Sequence, residues 1–289
     1  GSTFRTQDEA DLVASSDRWF RPVWTGIGPD GAIYLADWYD TRLSHVKPVD
    51  DWDKERGRLY RVRPTGEAPK LKPFDLHSCP PAELLGYLGH RNVWFRKQAV
   101  LEIGWRNLQE LAPELRQKLT GANALEALWA LDALGQAKDV PIEHADPYVR
   151  RWSVKVVGER GDAPDAALLK LAKTETQIEV CAQMLASAKR IPESLPLLWA
   201  GVNQVDDASG HIPLLAWWTL EAKAEKDSAG VLAFLREDQA FRSSKLFREH
   251  LAEKLAKRYA LAGGAENLQT CADLLTISED AALTDKFLA

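Results

Sequence analysis

Two segments of this 289-residue chain share one helical pattern, and this repetition limits the folds open to it more than any other feature. The first segment runs from Asn92 to Gly104 and the second from Asp146 to Gly158. Each begins with a residue type that caps helix N-termini, and Pro147 suits the first helical position because its missing N–H needs no partner there. Apolar residues follow at helical spacing, and Gly158 is an expected helix stop. The sequence therefore predicts two equivalent helices.

The alignment of the two segments places Arg96 opposite Arg150, 54 residues further along the chain. Each arginine is expected to bridge to a carboxylate or a carbonyl of the adjacent repeat, with a solvent-facing binding role as the alternative. The interval leaves room for one more helix pair, between Leu108 and Gly135. A capped helix with an inward arginine, repeated in this way, resembles the second helix of HEAT-type repeats. The predicted fold class is therefore mainly α, a HEAT-like α-solenoid.

Helical patterns cover the chain almost without interruption after residue 80, with Gly or Pro at many of the joints. The predicted helices span residues 81–89, 92–106, 108–119, 123–135, 146–158, 164–173, 176–189, 191–203, 211–225, 228–236, 239–262, 265–276 and 279–288. Short loops between successive helices favour antiparallel neighbours, which a stacked array requires. Tryptophans in the apolar stripes are expected to be large packing residues between helix layers, and Trp152 is expected to be fully packed there.

The first 66 residues predict a small antiparallel β segment instead. Two β-type runs, starting at Phe20 and Ala32, are joined by a turn over residues 28–31, in which Pro presets φ and Gly supplies a positive φ. A third run, residues 57–63, alternates apolar and basic residues. Strands of this number amount to one propeller blade, whose faces need neighbours. We therefore predict a β segment at 1–66, a Pro-rich linker at 67–80 and the α-solenoid at 81–289.

Composition and charge exclude several classes of protein. At 45% hydrophobic and 27% charged residues, the composition is that of an ordinary soluble globular protein. A net charge of −5 provides no global attraction to nucleic acid, and no apolar run reaches the ~18 residues that span a bilayer. The 3 cysteines are isolated, so neither a disulfide framework nor a c-type haem attachment is expected. The initial Gly-Ser pair is typical of a cleaved tag and predicts an excised fragment.

The charged loop over residues 37–53 is the candidate functional site, because long charged loops between strands are more often functional than connective. His45, as a base near neutral pH, and Arg42 are the candidate catalytic residues. Asp37, Asp40 and Asp53 are candidates for binding a substrate hydroxyl or a cation. The structural alternative is that Asp37 and Asp40 make turn hydrogen bonds and that Arg42 pairs with a carboxylate. No ligand ladder is present, so we predict no metal site and no cofactor-binding residue in this chain.

Motifs in residues 17–63 resemble the last blade of a bacterial propeller family. They are Asp17-Arg-Trp-Phe-Arg-Pro-Val, Ile27-Gly-Pro-Asp-Gly-Ala-Ile-Tyr-Leu-Ala-Asp-Trp-Tyr-Asp40 and Gly57-Arg-Leu-Tyr-Arg-Val. The family comprises membrane-bound dehydrogenases of planctomycetes and verrucomicrobia, related to glucose/sorbosone dehydrogenases. The stretch His211-Ile-Pro-Leu-Leu-Ala-Trp-Trp-Thr-Leu-Glu221 looks like the helical region that follows the propeller there. A cytochrome c domain with C-x-x-C-H usually comes next in that family, and this sequence does not contain it.

The resemblance implies a parent protein of the periplasm or cell envelope that is a quinone- or haem-linked oxidoreductase. Its cofactors would be haem c and PQQ or Ca, and its substrate a sugar or an alcohol. This chain alone is not expected to be an enzyme or to hold a cofactor. It would be a helical-repeat scaffold that joins the propeller to the haem domain. Its partners would therefore be the rest of the parent propeller and a cytochrome c domain, with no nucleic acid and no direct membrane insertion.

Two alternatives stay open. The chain could be a fragment that carries part of the dehydrogenase active site in loop 37–53. It could also be a HEAT-like nucleic-acid-binding protein, which fits a solenoid rich in tryptophan. The net charge of −5 and the β segment argue against this second alternative.

Overall fold

A computed structural model describes residues 7–40, 55–66, 71–206 and 210–289. The protein is mainly helical, at 58% of residues, and has a small three-stranded antiparallel sheet. The described residues divide into two compact units, one that ends at Gln136 and one that starts at Ala137. The sheet shares its unit with the first helices, so this division falls later in the chain than the Pro-rich segment at 67–80.

The sheet consists of strands β1 (Pro22–Ile27), β2 (Ile33–Asp37) and β3 (Arg58–Val62), in that spatial order. Both pairings are antiparallel. Gly31 has a φ of 77° in the turn between β1 and β2, a left-handed conformation that glycine adopts at little cost. The small antiparallel β segment predicted from the turn chemistry is therefore confirmed.

Four α-helices share the first unit with the sheet. They are α1 (Pro81–Tyr87), α2 (Val93–Trp105), α3 (Ala112–Lys118, preceded by a 3-10 turn over Gln109–Leu111) and α4 (Ala124–Ala133). Helix α2 packs against α1 and α4, and α3 packs against α4. Asn92 caps α2 by accepting a hydrogen bond from Trp94 N at 2.9 Å, as its residue type predicts.

The second unit is entirely helical in its described residues. Its helices are α5 (Pro147–Arg160), α6 (Ala166–Thr174), α7 (Ile178–Ala188), a 3-10 helix (Leu195–Gln204), α8 (His211–Ala224), α9 (Ser228–Glu237), α10 (Gln239–Arg242), a π-helical segment (Leu246–Leu251), α11 (Ala252–Ala262), α12 (Gly264–Thr276) and α13 (Ala281–Leu288). One row of contacts runs from α5 through α7, α8 and α11 to α13. A second row runs from α6 through the 3-10 helix and α9 to α12. One apolar core extends through both rows, from Ile142 to Phe287.

The predicted helix over residues 239–262 is interrupted. Helix α10 ends at Arg242, and a π-helical segment leads into α11. Ser244 lies at the interruption, where its Oγ accepts a hydrogen bond from Phe247 N at 3.2 Å. Serine side chains offer the backbone an alternative to regular helical bonding in this way. The segment predicted as a helix at 191–203 is the 3-10 helix over Leu195–Gln204.

Gly158 is not a helix stop, contrary to the prediction. Helix α5 continues to Arg160, and Gly161 ends it in the left-handed conformation with a φ of 73°. A Cβ at Gly158 would meet the Ser187 side chain of α7, and one at Gly104 would lie 2.9 Å from the Ala133 Cβ of α4. Both glycines therefore allow two helices to approach closely.

Trp152 is half-buried, and the Lys155 Nζ lies 4.5 Å from the centre of its indole ring. The expectation that this tryptophan packs fully between helix layers is therefore wrong. Among the described residues, no helix has both the length and the apolar character that a membrane crossing needs.

Candidate functional site

Two of the predicted site residues, Asp37 and Asp40, lie in the described part of the chain, where both are buried. The other three, Arg42, His45 and Asp53, lie outside the described residues. The geometry therefore bears only on the start of the candidate loop, and the catalytic and binding roles predicted for its members stay predictions.

Asp37 holds the end of β2 in place. Its Oδ1 accepts hydrogen bonds from Arg21 N at 2.7 Å and from Tyr39 N at 3.0 Å. Tyr39 has a φ of 55°, so the second bond supports a backbone conformation that non-glycine residues rarely adopt. The bond from Tyr39 N is a turn hydrogen bond of the kind that the structural alternative gives Asp37, whereas the bond from Arg21 N joins residues 16 positions apart.

The second carboxylate oxygen of Asp37 is buried and has no hydrogen-bond partner among the described residues. The guanidinium of Arg58 is near it, with Nη1 3.8 Å from Oδ2. The same guanidinium lies 3.7 Å from the centre of the Tyr39 ring. Across the described ranges, no three His, Cys, Asp or Glu side chains are grouped so that they could hold a metal ion.

The two outer strands of the sheet expose large apolar side chains. Val23 and Trp24 of β1 are 64% and 57% exposed, and Leu59 of β3 is 66% exposed. Ile27 and Tyr60 are also exposed. The strand pairing places Trp24 and Leu59 on one face of the sheet and Ile27 and Tyr60 on the other. Exposed apolar side chains of this size on both outer strands are a feature of interaction surfaces. We call these five residues the strand patch.

Two adjacent cavities, both open to solvent, lie between the sheet and α2. The turn cavity, of about 700 Å³, has walls that include Ile27, Pro29, Asp30, Leu71, Lys72, Phe74, Tyr87, His90, Arg91, Asn92 and Phe95. The strand cavity, of about 710 Å³, has walls that include Trp24, Tyr34, Leu59, Trp94, Lys97 and Gln98. Asn92 connects the sheet to α2 beside them, because its Nδ2 donates to Gly28 O at 2.9 Å and to Pro29 O at 3.1 Å.

Arg96 and Arg150 bridge to carboxylates later in the chain, as their matched positions predict, and also to carbonyls of the loops before their own helices. Arg96 Nη1 donates to His90 O at 2.8 Å, and its Nε donates to Glu126 Oε1 at 2.9 Å. Arg150 makes the equivalent bond to the carbonyl six positions before it, at 2.8 Å, and pairs with Glu175. The two arginines are therefore structural rather than solvent-facing.

A third copy of this arrangement, at Asp238 and Arg242, escaped the sequence analysis. Asp238 caps α10, and Arg242, four positions later, donates to Arg236 O at 3.0 Å and pairs with Glu279. The signal was present, because Asp238 and Arg242 have the spacing of Asn92 and Arg96. It was hidden inside the long helix predicted over residues 239–262.

In a comparison with protein families, a family described as a domain of unknown function (DUF7133) matches residues 1–66. The match covers the sheet and the residues around it, and it carries no description of an activity. A comparison with curated proteins found no significant match. Neither did a comparison with solved structures.

Proposed function

We propose that this chain is an interaction region of a larger protein, in which its sheet packs against further β structure. The strand patch carries this proposal. Large apolar side chains exposed on both outer strands of one small sheet cost solubility unless another surface covers them. The helices that share a unit with the sheet leave these side chains exposed. The partner that fits is the rest of a β-propeller, with the described sheet as its last blade.

We further propose that the helices form a HEAT-like α-solenoid. Two observations support it. The cap and arginine arrangement recurs at Asn92, Asp146 and Asp238, each time with a bond from the arginine to the carbonyl six positions before it. In the second unit, successive helices pack in two rows, as stacked helix pairs do. A solenoid of this kind would act as a scaffold.

The resemblance of residues 17–63 to a dehydrogenase propeller suggests which larger protein this is. The parent would be an extracytoplasmic sugar or alcohol dehydrogenase, and the helices would join its propeller to a haem domain. The partners are then the preceding blades and a cytochrome c domain. Haem c and PQQ or Ca belong to the parent in this proposal, and the oxidoreductase activity resides outside this chain.

The test places a charge on the strand patch. Trp24→Glu combined with Leu59→Glu should leave the melting temperature and the helical circular dichroism of this chain nearly unchanged, because both side chains are already exposed. In the full-length parent the same pair should lower the melting temperature of the propeller and reduce dye-coupled turnover. Leu261→Glu is the matched control, since Leu261 is 87% exposed and lies on α11. A parent that tolerates the double substitution as well as it tolerates the control would contradict the proposal.

A second candidate function is that of an active-site fragment, in which loop 37–53 contributes to catalysis in the parent. The observation that favours it is the buried Asp37 Oδ2, which has no hydrogen-bond partner among the described residues. Substitution of Asp37 and Asp40 together by Asn should then abolish turnover of the parent without a change in the melting temperature of this chain. If the double substitution unfolds this chain instead, the two carboxylates serve to hold the turn through hydrogen bonds and have no catalytic role.

A further inference from the structure

We propose that the turn cavity binds an organic anion with a flat apolar ring, such as an aromatic phosphate or carboxylate. The cavity lies between the β1–β2 turn and the start of α2, and none of the predicted site residues lines it. Its volume of about 700 Å³ is in the range of small-molecule sites. Ile27 belongs both to the strand patch and to the walls of this cavity, but the proposal uses neither that residue nor the parent dehydrogenase.

The walls of the turn cavity suit a flat apolar ring. Tyr87 and Phe95 stack with their ring centroids 5.3 Å apart and an interplanar angle of 12°. Phe74 lies against Phe95 at 5.2 Å, and both Phe74 and Leu71 are about two-fifths exposed. Aromatic rings stabilise a further ring by offset or edge contacts, in addition to the burial of apolar area. A ligand ring could therefore extend a cluster of rings that already exists.

The charge of the turn cavity favours an anion. Asp30 is the carboxylate among its described walls, and it is already engaged. It pairs with Arg61 and accepts hydrogen bonds from Tyr34 OH at 3.3 Å and from Ala32 N at 3.1 Å. Burial alone would raise the pKa of Asp30, but the Ala32 N–H and Arg61 outweigh it and hold the pKa below its ordinary value. The carboxylate is thus ionised and neutralised by a cation outside the cavity.

Two cationic side chains, Lys72 and Arg91, line the same cavity and are exposed. No carboxylate of the described residues forms an ion pair with either of them. His90 also lines the cavity, where its Nδ1 lies 3.0 Å from Asn92 N and 3.4 Å from Asn92 O. Charge-assisted hydrogen bonds from lysine and arginine side chains are the usual means of holding phosphate or carboxylate groups.

The test uses three probes on the full ¹⁵N-labelled chain: phenyl phosphate, inorganic phosphate and benzyl alcohol. Phenyl phosphate supplies both the ring and the charge, inorganic phosphate supplies the charge alone, and benzyl alcohol supplies the ring alone. Phenyl phosphate should bind saturably and at least about tenfold more tightly than either of the others, because only it satisfies both features. The amide signals that shift should include Gly31, His90 and Val93, which line the cavity. Absence of saturable binding, or shifts confined to other residues, would overturn the proposal.

Two variants test the cationic side chains and the aromatic side chains of the site separately. Lys72→Gln combined with Arg91→Gln should weaken phenyl phosphate at least about tenfold, through the loss of two charged donors. Lys189→Gln combined with Lys226→Gln removes the same charge from exposed positions of the second unit and should have no effect. Phe74→Ala should weaken phenyl phosphate and leave inorganic phosphate unchanged. If the Lys72 and Arg91 substitutions weaken phenyl phosphate no more than the Lys189 and Lys226 control does, the charged side of the proposed site is wrong. If Phe74→Ala weakens phenyl phosphate and inorganic phosphate equally, the aromatic side is wrong.

Discussion

Arg150 and Glu175 form a buried, bidentate ion pair in the second unit. Arg150 donates from Nε to Glu175 Oε2 at 2.7 Å and from Nη2 to Oε1 at 3.0 Å. The Glu175 side chain is 3% exposed, and that of Arg150 is 15% exposed. The backbone N–H groups of Thr176 and Gln177 also donate to the carboxylate, each at 2.9 Å. Oε1 therefore accepts three hydrogen bonds and Oε2 accepts one, and the pair holds α5 next to the loop before α7.

Removal of the arginine should be costly, because it leaves a buried carboxylate without a counter-charge. We expect Arg150→Met to lower the free energy of unfolding by about 3 kcal/mol. Urea denaturation at neutral pH measures this change. The control is Lys170→Met, which removes the exposed pair with Glu143 and should leave the denaturation midpoint nearly unchanged. Equal effects of the two substitutions would mean that the buried pair contributes no more than a surface pair.

The same carboxylate should make stability depend on pH. Burial by itself would raise the pKa of Glu175, but the hydrogen bonds from Arg150, Gln177 and Thr176 hold the folded-state pKa below its ordinary value of 4.5. Stabilisation by the ionised carboxylate is therefore full above pH 4.5 and is lost as the pH falls through the lower folded-state pKa. The difference in unfolding free energy between the wild type and Glu175→Gln should be largest near pH 7 and shrink below pH 4.5. A difference that stays constant from pH 7 to pH 3 would argue against this linkage.

At the scale of elements, Asn92 connects α2 to the β1–β2 turn. Its Oδ1 caps the helix by accepting from Trp94 N, and its Nδ2 donates to two carbonyl oxygens of the turn. Asp146 occupies the matched position at the start of α5 and caps through Tyr148 N at 2.8 Å. An amide can serve both purposes, whereas a carboxylate accepts only. An amide is therefore required at the Asn92 cap, whereas a carboxylate is sufficient at the Asp146 cap.

Reciprocal substitutions should show this difference. Asn92→Asp keeps a good helix cap but places a carboxylate against two carbonyl oxygens, so we expect a loss of about 1–3 kcal/mol in unfolding free energy. Asp146→Asn, the matched control, should change stability by less than about 0.5 kcal/mol, because Asn and Asp are equivalent caps. Chemical denaturation followed by circular dichroism measures both. Equal tolerance of the two would show that the bonds to Gly28 O and Pro29 O contribute nothing to stability.

At the scale of the whole molecule, the sheet depends on helices that follow it in the chain. It is a three-stranded sheet with exposed apolar side chains on both outer strands, and α2 donates hydrogen bonds to its turn. The described residues up to Gln136 accordingly form one compact unit. Residues 1–66, although they match one family, do not include the helix that supports the sheet.

Residues 1–66 should therefore be unfolded when expressed alone, because a sheet of this size cannot bury enough apolar area to offset its loss of conformational entropy. Residues 1–136, which include α1 to α4, should retain the sheet. Amide dispersion in NMR spectra and the cooperativity of thermal melting distinguish the two outcomes. A cooperative melt and a dispersed spectrum for residues 1–66 would contradict the dependence on α2.

The sequence by itself determined the features that depend on near neighbours in the chain. The caps at Asn92 and Asp146 and the turn at Gly31 all involve residues within a few positions of one another, so residue type and spacing were sufficient to predict them. Only the tertiary structure decided the rest. The Asn92 bond to Gly28 O joins residues 64 positions apart, and the space that excludes a Cβ at Gly158 is filled by Ser187 of another helix. The turn cavity likewise depends on distant segments, because its charge and shape arise only when a β turn, a proline-rich segment and a helix start meet.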